Sequence, residues 1–148
     1  MAAAANSYVG CTLYNRITYN PPSWITDNLK TAIIPKTRIR LFNGPTPIHA
    51  FKIPGLEQSE LSCFIKRDDL TSFDMSGNKV RKLEFLMADA LSAEESYDSV
   101  ITIGGLQSNH ARATAVASRQ LGLDPYLILR TKEQSDDINI VGNLLFNR

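Results

Sequence analysis

The sequence predicts an α/β protein in which parallel strands alternate with helices. Helically spaced apolar residues follow Asn78, an apolar strand covers 100–103, an alanine-rich helix covers 108–121, and a third strand covers 126–129. Strands and helices joined in this order by short connections are typical of parallel units with right-handed crossovers. A doubly wound sheet has more strands than this sequence supplies, so we expect the truncated front part of a larger fold.

Composition excludes several classes of protein. The 148 residues are 43% hydrophobic and 21% charged, as in folded globular domains. The net charge of +1 leaves no basic excess for nucleic acid or an acidic membrane surface, so we predict neither partner. Cys11 and Cys63 are too isolated for a disulfide framework or a zinc site, which predicts reduced thiols and no metal.

Targeting signals are weak in this sequence. Residues 1–10 lack a basic region followed by a continuous apolar stretch, so no secretory signal is predicted. No apolar run is long enough for a membrane span. Arg16 is the only base in a stretch without acids before Asp27, which marks a mitochondrial transit peptide only faintly. We expect an intracellular protein, in the cytoplasm rather than in mitochondria.

The elements before residue 78 are predicted from turns and short apolar runs. Residues 1–37 contain three prolines and no sustained period, which indicates an irregular arm with Trp24 as its anchor. A short strand is expected at 38–42, before a dense turn signal at 43–47. A second strand is expected at 61–66.

The next element is an amphipathic helix with Asn78 as its N-cap. Its apolar residues are spaced by three and four: Val80, Leu83, Met87, Ala90 and Leu91. The final apolar stretch, 138–146, indicates the start of a further helix.

The segment 76–86 (Ser-Gly-Asn-Lys-Val-Arg-Lys-Leu-Glu-Phe-Leu) places Lys79 in the first turn of this helix. The positive end of the helix dipole and the neighbouring cations Arg81 and Lys82 disfavour the charged ammonium form of Lys79. A neutral amine is a nucleophile that forms a Schiff base with an aldehyde. The segment alone is equally compatible with the basic first turn of a surface helix.

A second motif, 103–110 (Ile-Gly-Gly-Leu-Gln-Ser-Asn-His), joins the end of a strand to a helix. This is where open α/β sheets bind anions, because backbone N–H groups and the helix dipole are available there. Ser108 and Asn109 add a hydroxyl and an amide. The dinucleotide fingerprint is absent because its third glycine is missing. A tight turn capped by Ser108 is the structural alternative, and His110 is either an acid–base group or a packed residue.

The acidic pair after the 61–66 strand is a weaker candidate. Arg67, Asp68 and Asp69 are adjacent, and adjacent side chains on a strand point to opposite faces. A salt bridge to the Lys79 helix is therefore expected in preference to a catalytic pair of carboxylates.

Together these motifs carry a family resemblance. Gly44-Pro45-Thr46-Pro47-Ile48, Lys66-Arg67-Asp68-Asp69, the 76–86 segment and the 103–110 motif resemble the D-cysteine desulfhydrase and 1-aminocyclopropane-1-carboxylate deaminase family. The resemblance covers about residues 40–148. It implies a pyridoxal 5'-phosphate enzyme with a three-layer, parallel-sheet fold of the tryptophan-synthase-β-like type.

The resemblance also implies roles for individual residues. Lys79 matches the lysine that holds the cofactor as a Schiff base, Asn78 precedes it in the turn, and Lys82 matches a residue near the cofactor phosphate. Asn109 matches a residue that hydrogen-bonds the phenolic oxygen of the cofactor. Ser108 matches a serine of proton transfer or substrate positioning. Gln107 belongs to the loop that binds the substrate carboxylate, and His110 is placed with it.

The implied activity is that of a lyase or deaminase acting on a small amino acid, and we expect D-cysteine to be converted to pyruvate, ammonia and sulfide. Deamination of the cyclopropane amino acid is the alternative. The family's glycine-rich phosphate loop comes later in its sequence than Arg148, so we expect little or no turnover from these 148 residues alone. An inactive fragment or interaction module is the other alternative. The full-length enzyme is expected to be a homodimer.

The expected domain organisation has three parts. Residues 1–37 form the arm, and residues 38–84 begin the large pyridoxal-phosphate domain with its lysine. Residues 85–148 form an incomplete small α/β domain.

Overall fold

The computed structural model describes residues 14–28, 34–56, 60–72, 74–75, 77–92, 97–131 and 139–147. Its strands are β1 (Arg16–Thr18), β2 (Thr37–Ile39), β3 (Ile48–Phe51), β4 (Cys63–Lys66), β5 (Ser99–Gly105) and β6 (Asp124–Arg130). Its helices are α1 (Ser23–Asn28), α2 (Lys79–Ala90), α3 (Asn109–Gln120) and α4 (Asn143–Phe146), and a short 3-10 turn covers Asp68–Leu70.

The predicted parallel unit is present as β5, α3 and β6. The two strands pair in parallel from Ser99 opposite Asp124 to Gly105 opposite Arg130, and α3 is the crossover between them. Helix α3 carries small buried residues, among them Ala113 and Ala117, which belong to the hydrophobic core that it shares with α2. The alanine-rich sequence predicted this helix.

Two antiparallel pairs accompany the parallel unit. β1 pairs with β2, and β3 pairs with β4. The predicted strands at 38–42 and 61–66 correspond to β2 and β4, whereas β1 and β3 were not predicted. All residues of β1 and β3 are exposed, so these strands lack the inside–outside alternation that identifies a strand in a sequence.

The N-terminal arm is attached differently from the prediction. Trp24, the predicted anchor of the arm, lies in α1 and is 64% exposed, so it does not anchor the arm by burial. The arm is held instead by the pairing of β1 with β2. The ring of Tyr19 also packs edge-on against Phe85 of α2, with 4.9 Å between the centroids.

Helix α2 supplies the central part of the hydrophobic core. Val80, Leu83 and Met87 are buried as predicted, whereas Leu91 is 41% exposed just after the helix. The core brings α2 together with β2, α3 and their flanking segments: its buried residues are Ile39, Leu41, Met75, Val80, Leu83, Met87, Ala88, Ala113, Ala117 and Leu123.

The two long helices begin differently. Asn78 has helical backbone angles and no side-chain capping hydrogen bond, so its predicted capping role is wrong. An N-cap side chain reaches the free N–H groups when its own backbone is extended. Ser108 is extended, and its Oγ accepts a hydrogen bond from the N–H of Ala111 at 3.1 Å, which confirms the predicted cap of α3.

A buried carboxylate joins α2 to the segment after β2. Glu84 is 1% exposed. Its Oε1 accepts hydrogen bonds from the N–H groups of Leu41 (2.8 Å) and Phe42 (3.3 Å), and its Oε2 accepts one from Arg38 (3.2 Å). The predicted boundary between the large and the small domain follows residue 84 and so falls within this helix, which runs unbroken from Lys79 to Ala90. The boundary stays a prediction.

The expected salt bridge between the acidic pair and the helix is confirmed. Arg81 donates to Asp68 at 2.8 Å and its guanidinium lies 4.7 Å from the centre of the Phe42 ring. The hydrogen bond from Arg81 is the main cause that lowers the pKa of Asp68. Asp69 points elsewhere and pairs with Arg67 at 2.7 Å. The two carboxylates therefore serve separate ion pairs.

Replacing Glu84 tests whether this carboxylate holds the fold. Glu84→Ala leaves the N–H of Leu41 and the guanidinium of Arg38 without their acceptor. We expect it to lower the free energy of unfolding by about 3 kcal/mol. Urea denaturation followed by circular dichroism measures the change, with Asp89→Ala, an exposed acid on the same helix, as the control. Equal stability of the two variants would contradict this role.

Candidate functional site

Lys79 follows a turn whose backbone is fixed by hydrogen bonds. Gly77 has a φ of +94°, which favours glycine. Its N–H donates to the backbone oxygen of Asp68 (2.8 Å) and to Oγ1 of Thr71 (2.9 Å). The fully buried Thr71 hydroxyl donates in turn to that Asp68 oxygen at 2.8 Å. Lys79 is therefore presented from a fixed position. Ser76, from the same motif, lies outside the described residues.

Sequence reasoning missed Thr71. Its hydroxyl accepts from one backbone group and donates to another within the turn. The sequence contains no pattern that identifies this threonine, because its hydrogen-bond partners are backbone groups that meet it only when the turn has folded. Asn78 and Lys82 are exposed next to this turn, whereas Lys79 is half-buried.

The second motif joins the end of β5 to the start of α3, as the sequence predicted. β5 ends in Gly104 and Gly105, and the chain turns through Leu106 and Gln107 to the cap residue Ser108. A Cβ atom on Gly104 would lie 2.7 Å from the Oγ of Ser108. Glycine at this position is thus required for Ser108 to cap the helix. The Ser108 Oγ accepts from Ala111 and retains its own proton for donation.

The surroundings of His110 connect the first turn of α3 with the first turn of α2. The pKa of His110 is lowered by burial, and further by the positive charges of Lys79 and Lys82. His110 is the second residue of α3 and Lys79 the first of α2, so two helix N-termini and two lysines lie within electrostatic reach of this imidazole. Helix N-termini and cations both favour anionic ligand groups.

Gln107 and Asn109 are engaged on the other side of the loop by Asn143. The Nδ2 of Asn143 donates to the backbone oxygen of Gln107 (2.9 Å) and to Oδ1 of Asn109 (2.7 Å). The side chain of Gln107 accepts from the N–H of Asn143 and donates to the oxygen of Val141, both at 2.9 Å. No hydrogen bond in the described part of the chain joins Lys79 to Ser108 or Asn109.

The sequence matches one enzyme family over most of its length. Residues 39–142 match the pattern of the pyridoxal-phosphate dependent enzymes. The chain belongs to this pyridoxal-phosphate-dependent family. The match includes both motifs of the site, and pyridoxal phosphate is the cofactor of the family.

Individual relatives agree with the family assignment. The chain is 51% identical over 132 residues to a bifunctional D-cysteine desulfhydrase/1-aminocyclopropane-1-carboxylate deaminase, described as mitochondrial, from Arabidopsis thaliana, covering 88% of the chain and 31% of the relative. It is 48% identical over 90 residues to a D-cysteine desulfhydrase of Salmonella paratyphi A, covering 58% of the chain and 25% of the relative. The chain thus spans about a third or less of these relatives.

A solved structure resembles the fold. A crystal structure described as an ACC deaminase homologue superposes with a TM-score of 0.65 and 40% sequence identity, covering 86% of this chain and 35% of that one. The resemblance and the fold class expected from the sequence are confirmed. Within the described ranges, no helix combines the length and apolar character that crossing a membrane would require.

The residues of the site fit the anionic groups of the family's cofactor. Lys79 and Lys82 supply cations, and the N-termini of α2 and α3 supply partial positive charge. The Oδ1 of Asn109 is already occupied by Asn143, so the amide group of Asn109 available to a ligand is a donor. A phosphate, a carboxylate or a phenolic oxygen suits such surroundings.

The titration of His110 tests whether the two lysines face it. We expect its pKa to lie below the usual value of about 6.5. The unfolded chain then takes up a proton on His110 at a higher pH than the folded chain does. This residue therefore lowers the free energy of unfolding as the pH falls from about 6.5 through the folded pKa. Lys79→Ala and Lys82→Ala should each raise the pKa of His110 in an NMR titration.

Lys52→Ala is the control for this titration, because Lys52 is exposed on the β3–β4 side and is not among the cations acting on His110. A pKa that is unchanged in both the Lys79 and the Lys82 variants would show that α2 and α3 do not share one site.

Proposed function

We propose that this chain carries the lysine-bearing part of a pyridoxal-phosphate lyase of the D-cysteine desulfhydrase type, which converts D-cysteine to pyruvate, ammonia and sulfide. The observation that carries the proposal is the turn fixed by the hydrogen bonds of Gly77 to Asp68 and Thr71, which is followed at once by Lys79 as the first residue of α2. The names of the Arabidopsis and Salmonella relatives both include this activity, and the Arabidopsis name includes the deaminase activity as well.

In this proposal Lys79 and its neighbours hold the cofactor. Lys79 would supply the amine that holds the aldehyde group of the cofactor, and Lys82, one helical turn further on, would balance the charge of its phosphate. Asn78 belongs to the turn that presents Lys79. Asn109 donates a hydrogen bond from Nδ2 to the phenolic oxygen. When bound, pyridoxal phosphate withdraws electrons from the α carbon of the amino acid.

The substrate is assigned to the loop before α3. Ser108 keeps a donatable proton on Oγ, because its lone pair accepts from Ala111. A serine in this state can hold a substrate carboxylate or pass a proton. The lowered pKa of His110 keeps the imidazole neutral at pH 7, so it can accept as well as donate. The side chain of Gln107 supports the loop through its hydrogen bonds with the backbone of Asn143 and Val141.

One structural feature favours a second function, that of an interaction module. The face of β5 and β6 that points away from α3 carries four exposed apolar side chains, Ile101 (69%), Ile103 (63%), Tyr126 (58%) and Ile128 (55%). Parallel sheets are normally covered on both faces. A partner subunit of the same family, or a homodimer of a longer chain, would cover this face.

Cytoplasmic localisation also remains part of the proposal, beside the relative described as mitochondrial.

An assay with two substrates tests the proposed activity. With pyridoxal phosphate present, a protein that contains this chain and spans the full length of the relatives should convert D-cysteine to sulfide and pyruvate in equal amounts. It should do so faster than it converts the cyclopropane amino acid to its four-carbon 2-oxo acid. Lys79→Ala should reduce sulfide release at least about 100-fold, to the rate of the free cofactor. Lys36→Ala, an exposed lysine outside the site, is the control.

Equal sulfide release by the wild-type chain and by Lys79→Ala would contradict the lyase. Preferential release of the 2-oxo acid would favour the deaminase activity. Concentration-dependent self-association without turnover would favour the interaction module.

A further inference from the structure

Asn143 occupies a position that neither the sequence motifs nor the family match identifies. It is the first residue of α4, 34 residues after Asn109 in the chain. Its N–H donates to Oε1 of Gln107, and its Nδ2 donates to the backbone oxygen of Gln107 and to Oδ1 of Asn109. Its Oδ1 accepts from Nη1 of Arg112 at 3.1 Å. Every polar group of this side chain therefore contacts the loop or the first turns of α3.

The close approach of Gly142 is a second, independent sign that this contact is built. A Cβ atom at residue 142 would lie 2.5 Å from Oε1 of Gln107, and the φ of Gly142 is +57°. The backbone conformation favours glycine there, and a Cβ atom would displace the end of the Gln107 side chain from its bond to Asn143. Arg112 adds to the attachment, since its guanidinium lies 5.6 Å from the centre of the Phe146 ring.

These partners fix which way two amide groups point. A primary amide has two hydrogens on nitrogen and only acceptors on oxygen. If the amide of Asn143 were turned over, its oxygen would face the oxygens of Gln107 and Asn109, and its nitrogen would face the guanidinium of Arg112. In the orientation observed, Oδ1 of Asn109 is held by Asn143. The Nδ2 group of Asn109 is thereby directed away from Asn143, as a donor.

We propose that Asn143 is a positioning residue, which fixes Asn109 as a hydrogen-bond donor towards a negatively charged oxygen bound at the N-terminus of α3. This inference rests on the proposed function for the identity of the ligand, since the oxygen in question is the phenolic oxygen of pyridoxal phosphate. Residues 139–147 thus serve the site without contacting the ligand. Binding should depend on Asn143 only for ligands that carry the phenolic oxygen.

Asn143→Asp is the variant that tests the orientation. Its two oxygens cannot donate, so the Nδ2 group of Asn109 should turn to the new carboxylate and its oxygen should face the ligand. Asn139→Asp, an exposed asparagine in the same segment, introduces the same charge without these contacts. Circular dichroism and urea denaturation show whether both variants remain folded.

The first readout needs no ligand. NMR of the ¹⁵N-labelled chain should show slow hydrogen exchange of the Asn143 side-chain amide and fast exchange of that of Asn109. In Asn143→Asp the Asn109 amide should become the slow one, and in Asn139→Asp nothing should change. Fast exchange of the Asn143 amide in the wild-type chain would overturn the inference.

The second readout uses pyridoxal phosphate and an analogue that lacks the phenolic oxygen, each titrated by absorbance. Asn143→Asp should weaken binding of pyridoxal phosphate about tenfold and leave the analogue within about twofold of its wild-type affinity. Equal weakening of both ligands would mean that Asn143 only supports the fold, and would overturn the inference. A wild-type chain that binds neither ligand would overturn the proposed function, while the exchange measurement still decides whether Asn143 orients Asn109.

Discussion

The buried carboxylate of Glu84 is the interaction on which the rest of the structure depends. A buried charge is destabilising unless it is paired and hydrogen-bonded, and here two backbone N–H groups and Arg38 provide the pairing. The pairing attaches the segment after β2 to helix α2 and fixes its position along the helix. One turn before Glu84 on the same helix, Arg81 bonds to Asp68 and so attaches the turn that precedes Lys79. The candidate lysine is therefore positioned by two ion pairs on one helix.

Helix α2 in turn determines what can meet Lys79. It shares the hydrophobic core with Ala113 and Ala117 of α3, and this packing brings His110 within the field of two lysines. The positive charges of Lys79 and Lys82 act on this imidazole although the net charge of the chain is only +1. The loop before α3 has a further support in Asn143, which donates to the backbone oxygen of Gln107 and to Oδ1 of Asn109.

The sequence predicted the parts of the fold that local pattern determines. The apolar period identified α2, the glycine pair marked the end of β5, and the extended cap residue Ser108 began α3 as expected. Short exposed strands such as β1 and β3 escaped prediction because they show no alternation. Glu84 and Asn143 escaped because their roles depend on partners more than 30 residues away. Trp24 was assigned an anchoring role from its size alone, and its exposure shows that size does not determine burial.

We propose that Lys79, positioned by its turn and by the two ion pairs, is the amine that binds pyridoxal phosphate. The most direct test incubates the chain with the cofactor, reduces the adduct with borohydride and locates the added mass by peptide mass spectrometry. We predict that one residue, Lys79, carries most of the added mass. The exposed Lys36, Lys52 and Lys82 should stay unmodified at low cofactor concentration. A label scattered over the exposed lysines, or no label at all, would contradict it.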